Sequence, residues 1–328
     1  MSAPTLTLIA NLNSDSLQRG RLDIERLRSL RSAGVQVFFT RDLEELRGTL
    51  GELERTRPES LMPQSTLAFV GGDGSLSQGL STLFANTAWR EHGLPNLLIL
   101  RAGSMNYMGV WAKVSHDPWR TLRRFVAGRR GHLQGLSTLR THYGAPHPHH
   151  GFFWAWGVGY RLLHEYYQIR RGPAQIAGYG IVAAGVARML WPSEASRLFR
   201  SRTLDLHVDG ERQEERELYS LAVGAVARIC LGMRPFASTR SEILRLQVAG
   251  HGVELKTLMR NFPGLVYHRG PRDHLRGRGL VDASADHHVE CEVDEGFTID
   301  GEVFPLPEPR RVRIEPGPVV RFWSQAGR

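Results

Sequence analysis

Residues 66–75 read Thr66-Leu67-Ala68-Phe69-Val70-Gly71-Gly72-Asp73-Gly74-Ser75. The first half predicts a buried strand, because apolar and β-branched side chains follow one another without a charge. The second half carries three glycines in five residues, so the backbone can turn sharply and approach another group closely. Residues 75–85 then read as a helix. A strand passing through a glycine turn into a helix directs the first helical amides at one point, and that point favours an anion. Asp73 stands among those donors, where a carboxylate is badly placed to touch a phosphate. It suits a proton acceptor or a group addressing Mg²⁺. The turn lacks the Gly-Lys-Ser/Thr ending of a Walker loop and the Gly-x-Gly-x-x-Gly order of a dinucleotide fingerprint. Taken alone, it is also compatible with a tight strand-helix connection bearing an exposed aspartate.

Working outward, strands at residues 6–11, 35–40, 66–70 and 96–100 alternate with amphipathic segments such as 42–55. That alternation predicts a parallel sheet covered by helices on both faces. A second glycine turn, Arg101-Ala102-Gly103-Ser104-Met105-Asn106, follows the fourth strand, and Asn11 and Asn13 follow the first. Three such loops would open on the same carboxyl edge. Past residue 131 the pattern breaks. Residues 141–151 hold two prolines, two glycines and four histidines (His142, His147, His149, His150), which predicts a linker or hairpin loop with the histidines in solvent. Beyond it, strands are expected at 203–208, 218–226, 244–248, 279–283 and 288–293. Asp209-Gly210 is expected to turn a hairpin, and 176–191 to form an apolar helix. The tail, 311–323, again has strand character.

At 328 residues, with 41% of them hydrophobic, the chain is long enough for two domains with proper cores. The net charge of +9 comes almost wholly from arginine, Lys113 and Lys256 being the only lysines. Arginines gather at 120, 123, 124, 129 and 130, and again at 269, 272, 276 and 278. Such clusters suit an anionic membrane surface or a solvated basic face. No nucleic-acid reading motif accompanies them, so a nucleic-acid partner is not expected. Cys230 and Cys291 lie far apart without metal-ligand spacing, as idle thiols in a reducing compartment would. No basic, long-apolar leader precedes the first strand, and the longest apolar stretch, 176–191, contains Arg188. The expectation is a cytoplasmic protein, in peripheral contact with the inner face of the membrane.

The combination of motifs resembles the diacylglycerol kinase catalytic family, which includes sphingosine and ceramide kinases and bacterial lipid kinases. The matching features are Asn11 and Asn13, Gly71 to Ser75, Gly103-Ser104-Met105-Asn106 and Asp300-Gly301-Glu302, in order and spaced across nearly the whole chain. The resemblance implies an α/β fold class in two domains. Residues 1–135, completed by the strand at 311–328, would form a nucleotide-binding domain like that of phosphofructokinase and NAD kinase. Residues 136–310 would form a β-sandwich lipid domain, with ATP in the cleft between them. It further implies that Gly71, Gly72, Gly74, Ser75, Gly103, Ser104 and Asn106 surround the phosphates, with Asn11 and Asn13 beside them. Glu302 or Asp73 would accept the lipid hydroxyl proton, and Asp300 would help position Mg²⁺. A homodimer is compatible with the family.

Some positions depart from the family pattern. Ser77 and Gln78 stand where Asn-Glu is common, and Tyr107 where many members have Asp; the Ala-Gly-Ser-x-Asn form is closer to sphingosine kinases. After Gly232-Met233-Arg234-Pro235 the acidic segment is reduced to one acid, so a structural Mg²⁺ there is not expected. Arg161 stands where sphingosine kinases hold the substrate amine with an acid, and an arginine would repel an ammonium, favouring diacylglycerol or ceramide. Phe152, Phe153, Trp154 and Trp156 are candidates either to line a lipid pocket or to pack a core. An NAD kinase-like enzyme and a lipid- or nucleotide-binding protein without catalysis are the alternatives.

Overall fold

Strand β1 (Leu6–Asn11) is buried on both faces along nearly its whole length, as a central parallel strand must be. A computed structural model describes residues 6–85, 93–103, 106–169, 197–214, 217–229, 233–236, 246–252 and 280–325. The chain divides into two compact units, Met1–Leu136 with Val319–Arg328, and Ser137–Pro318.

In the first unit β1 is followed by α1 (Asp15–Gln18), α2 (Ile24–Ser29), β2 (Gln36–Thr40), α3 (Leu43–Thr56), β3 (Thr66–Gly71), α4 (Asp73–Ala85), β4 (Asn96–Arg101), α5 (Tyr107–Trp111) and α6 (Pro118–Val126). The strands lie in the order β2-β1-β3-β4, all parallel, with Leu8 opposite both Val37 and Ala68. Connections leave β1 and β3 in opposite directions, so the carboxyl ends of these two strands flank the switch point where open α/β sheets bind ligands. Local chemistry explains the helices. Asp42 caps α3 by accepting from Glu45 N at 2.8 Å, and the Glu45 carboxylate reaches back to Arg41 N at 2.7 Å. Leu46, Leu50 and Leu53 then bury one stripe of α3. On one sheet face Leu8, Ala10, Val37, Ala68 and Leu98 pack with Leu27 of α2 and Leu122 and Phe125 of α6.

The second unit begins within β5 (His132–His142). It continues through β6 (His149–Gly151), β7 (Phe153–Gly157), α7 (Val158–Ile169), β8 (Arg202–Thr203), β9 (Leu206–Val208), β10 (Glu211–Arg212), β11 (Glu217–Leu218), β12 (Ser220–Gly224) and β13 (Leu246–His251). After these come β14 (Leu280–Ala285), β15 (Val289–Val293), β16 (Gly296–Ile299), β17 (Glu302–Pro305) and β18 (Arg310–Ser324). One sheet runs β14-β13-β12-β7-β16-β17, antiparallel throughout. The other joins β10, β9, β15 and the first part of β18, with the β5–β6 hairpin on β18. Aromatic rings close the space between the sheets: His149 lies 4.7 Å from Phe304, and Tyr143 lies 5.2 Å from Phe297. The last residues of β18 belong to the first unit, where Phe322 pairs with Leu97 of β4 in parallel.

The histidine-rich stretch departs from the sequence expectation. It does form a hairpin, but His149 and His150 lie inside it as buried strand residues, because Thr141 pairs with His149 and Arg140 with His150. Burial, reinforced by His149, Arg140 and His142, pushes His150 down to about 3, so its ring is neutral. The expected strand at 203–208 is interrupted between β8 and β9, and the one at 218–226 divides into β11 and β12. Cys291 is a buried free thiol pushed up to about 12 by burial. The 176–191 segment, Cys230 and the arginines at 269–278 lie outside the described residues. Among the described residues, no helix is long and apolar enough to cross a membrane.

Candidate active site

The glycine turn after β3 and the one after β4 are in backbone contact. A Cβ added to Gly72 would stand 3.2 Å from the Gly103 Cα, and one added to Gly103 would run into the Gly72 Cα and come within 2.8 Å of its nitrogen. Only glycine permits that approach. A Cβ on Gly71 would likewise meet the Ser75 side chain. The first helical hydrogen bond of α4 runs from Leu76 N to Gly72 O at 3.2 Å, so the amides of Gly74 and Ser75 precede the helical ladder. Asn11, at the end of β1, donates from Nδ2 to Ser75 Oγ at 3.2 Å and accepts from Asn13 N at 2.9 Å. Asn13 donates to Arg41 O at 2.7 Å, tying this loop to the end of β2.

Asp73 is buried, and its carboxylate reaches away from its own helix. Oδ2 accepts from Tyr107 N at 3.0 Å and Oδ1 from Met108 N at 3.1 Å, so it caps α5 from across the two turns. The residue at the α5 N-cap, Asn106, makes no such cap. Asn106 adopts φ 52° and folds its amide back onto Gly103, accepting from Gly103 N at 2.9 Å and donating to Gly103 O. Burial raises Asp73 to about 6, against the opposing pull of the two amides and of Arg101. Arg101, the last residue of β4, was given no role in the sequence analysis. Its charge lies beside Asp73 at the end of β4, and a basic residue directly before a glycine turn was the signal for it. Ser104 lies outside the described residues.

In the second unit Asp300-Gly301 turns the hairpin between β16 and β17, with φ 51° and 89°. Asp300 is buried. Its Oδ1 accepts from Phe152 N at 3.0 Å and Phe153 N at 2.8 Å, and its own N donates to Phe153 O at 2.9 Å. Glu302 opens β17, its carboxylate forms no hydrogen bond with the described residues, and burial raises its carboxyl above the ordinary range. Tyr167 of α7 donates to Gly301 O at 3.0 Å. Among the described residues no group of three or more His, Cys, Asp or Glu side chains is placed to hold a metal ion. The Asp300 carboxylate is turned to the Phe152 and Phe153 amides.

Two features that bear on the substrate differ from the sequence expectation. Phe152, Trp154 and Trp156 are fully buried, and Phe153 meets Phe236 edge-on at 6.1 Å, so these aromatics pack the core. Arg161 is not a bare cation: its Nε and Nη2 meet Glu295 at 2.9 and 2.8 Å, and Nη1 donates to the carbonyls of Leu198 and Arg200. With its charge offset, it gives no reason to reject an ammonium-bearing lipid.

The sequence matches no family model and no curated protein. Solved structures do match. A diacylglycerol kinase from Bacillus anthracis str. Sterne aligns at TM-score 0.63 and 13% identity over 99% of this chain and 98% of its own. A candidate diacylglycerol kinase from the same organism aligns at TM-score 0.67 and 15% identity, with the same coverage. An NAD kinase from Archaeoglobus fulgidus, solved with ATP, stands further off at TM-score 0.45 and 10% identity, over 98% of this chain and 94% of its own. Over 99% of its length, this chain shares the mixed α/β fold of these Bacillus anthracis structures.

Proposed function

We propose that this protein is an ATP-dependent lipid kinase, moving the γ-phosphoryl group of ATP to a hydroxyl of a diacylglycerol, ceramide or sphingoid-type lipid. The observation that carries this reading is the backbone contact between the Gly72 and Gly103 turns at the carboxyl ends of neighbouring strands. It brings the two loops together at the sheet's switch point, beside the first amides of α4. Gly103, its amide bound to Asn106, would let the two turns touch, and the amides of Gly72, Gly74 and Ser75, with Ser104, would hold the phosphates. Arg101 would offset their charge, and Gly71, Asn11, Asn13 and Asn106 would fix the shape of the cradle. This donor set fits a polyphosphate. Magnesium, when bound, would supply further charge neutralisation, and Asp300 would help position it.

For the acceptor, Glu302 is the group suited to take the hydroxyl proton. Its carboxylate has no hydrogen-bond donor among the described residues, and burial raises its affinity for a proton. As the lipid O–H bond gives its proton to Glu302, the oxygen forms a bond to the γ-phosphorus, and the bond to the ADP oxygen breaks. Asp73 and Asp300, each holding two backbone amides, order the turn of their own unit. The first unit would serve the nucleotide and the second the lipid, at the inner face of a cytoplasmic membrane; a homodimer is compatible with this.

Radiolabelled ATP and a panel of lipids in mixed micelles, with wild type beside Glu302→Gln, test the reading. A phospholipid product that depends on Glu302 is expected. No labelled lipid from any member of the panel would leave a nucleotide- or lipid-binding protein without catalysis, and phosphorylation of NAD instead would replace the acceptor.

A further inference from the structure

Three of the five exposed large hydrophobic side chains among the described residues fall in one region of the first unit: Val126 at 38%, Leu133 at 37% and Val319 at 38%. Val126 ends α6, whose inner stripe of Thr121, Leu122 and Phe125 is buried. Phe125 stands edge-on to Trp323 of β18 at 5.7 Å. The strand face that carries Trp323 also carries Arg321 and Val319, two and four residues back along an extended chain. On the neighbouring strand, a Cβ at Gly135 would lie 3.3 Å from Val319, which places Leu133, two residues before it, on that same face. The apolar groups thus stand together at the end of α6 and on the strands beside it.

The surrounding charge is mostly positive. Arg120, Arg123, Arg124, Arg129 and Arg321 are exposed, and none forms an ion pair among the described residues. Arg130 lies over the Phe125 ring at 5.3 Å, and Arg26 over the Trp119 ring at 4.4 Å, so two further guanidinium groups border the patch. Asp117, the one acid of this segment, caps α6 by accepting from Trp119 N at 2.9 Å. Apolar side chains standing among unpaired arginines match the boundary between anionic headgroups and acyl chains.

We infer that the outer face of α6 together with Leu133, Val319 and Arg321 is the surface by which this protein docks on an anionic lipid bilayer. Val126, Leu133 and Val319 enter below the headgroups, and the arginines pair with lipid phosphates. This rests on the lipid-kinase reading only for its biological sense; the docking can be measured without any turnover.

Co-sedimentation with phosphatidylglycerol/phosphatidylcholine vesicles, against phosphatidylcholine alone, is the test. Wild type should bind the anionic vesicles alone and be released by about 0.5 M salt. Arg123→Glu/Arg124→Glu should lower partitioning about tenfold or more. Val126→Asp/Leu133→Asp should lower it at every salt concentration, and Arg47→Glu/Arg55→Glu on α3 should leave it unchanged. Equal binding to neutral vesicles, equal loss in the α3 control, or a light-scattering dimer broken by Val126→Asp would overturn the inference. So would displacement of vesicles by single-stranded RNA. In neutral detergent micelles Arg123→Glu/Arg124→Glu should phosphorylate lipid at the wild-type rate. Wild-type kinase activity there with vesicle binding indifferent to all the variants would overturn the docking surface alone. Variant-sensitive vesicle binding without any kinase activity would overturn the kinase reading alone.

Discussion

Asp73 in the first unit and Asp300 in the second perform the same local task in different settings. Each carboxylate accepts two consecutive backbone amides from a distant segment: Tyr107 and Met108 for Asp73, Phe152 and Phe153 for Asp300. The settings differ in what lies beside the clamp. Asp73 has the Arg101 charge near it and two glycine turns touching in front of it. Asp300 sits at the tip of a hairpin with another acid, Glu302, two residues on and uncommitted among the described residues. Three acids that look interchangeable in sequence therefore separate according to what the backbone asks of them. Two order loops, and the side chain of the third has no hydrogen-bond partner among the described residues.

The comparison breaks most visibly at Glu302. Glu302→Gln should lower kcat by about 10²–10⁴-fold in a mixed-micelle assay while leaving the thermal midpoint unchanged or slightly higher, since it relieves a buried charge. Full activity in that variant would return the proton-accepting role to Asp73. The clamps should show themselves in stability. Asp73→Ala and Asp300→Ala each strand two amides and should cost about 2–4 kcal/mol in urea unfolding, with the Asn variants losing about half as much. Near-zero cost at either site would mean that its amides find other partners. Gly103→Ala presses a methyl into the Gly72 backbone and should cost about 1–3 kcal/mol, together with a raised KM for ATP.

The smallest effect concerns pH. Asp73 rises from 3.8 to about 6, so between those values the folded state binds more proton than the unfolded one. This group's contribution to stability is present at the acid end and is lost as pH rises through about 6. The wild-type curve minus that of Asp73→Asn should slope downward over that window, and a flat difference would show that the two amides outweigh burial.

The parallel strands of the first unit were readable because buried parallel strands are continuous apolar runs, and 66–70 is a clear example. The glycine turns were readable because their composition has few other uses. The second unit was harder. His149 and His150 look like solvent-facing residues in a proline-broken loop, and only pairing with Arg140 and Thr141 buries them. Arg161 looked like a bare cation until Glu295, distant in sequence, was found against it. Arg101 went without a role because its nearness to Asp73 comes from the pairing of β3 with β4, which brings Gly71 opposite Arg101.

By itself, the sequence determined the α/β character of the first unit, the glycine turns as close-approach backbone, and the acids worth asking about. These depend on local composition and on periodicity, which one chain displays without partners. The tertiary structure alone decided which acid is committed and which is available. A carboxylate's role depends on the donors around it, and those of Asp73 and Asp300 come from segments 34 or more residues away.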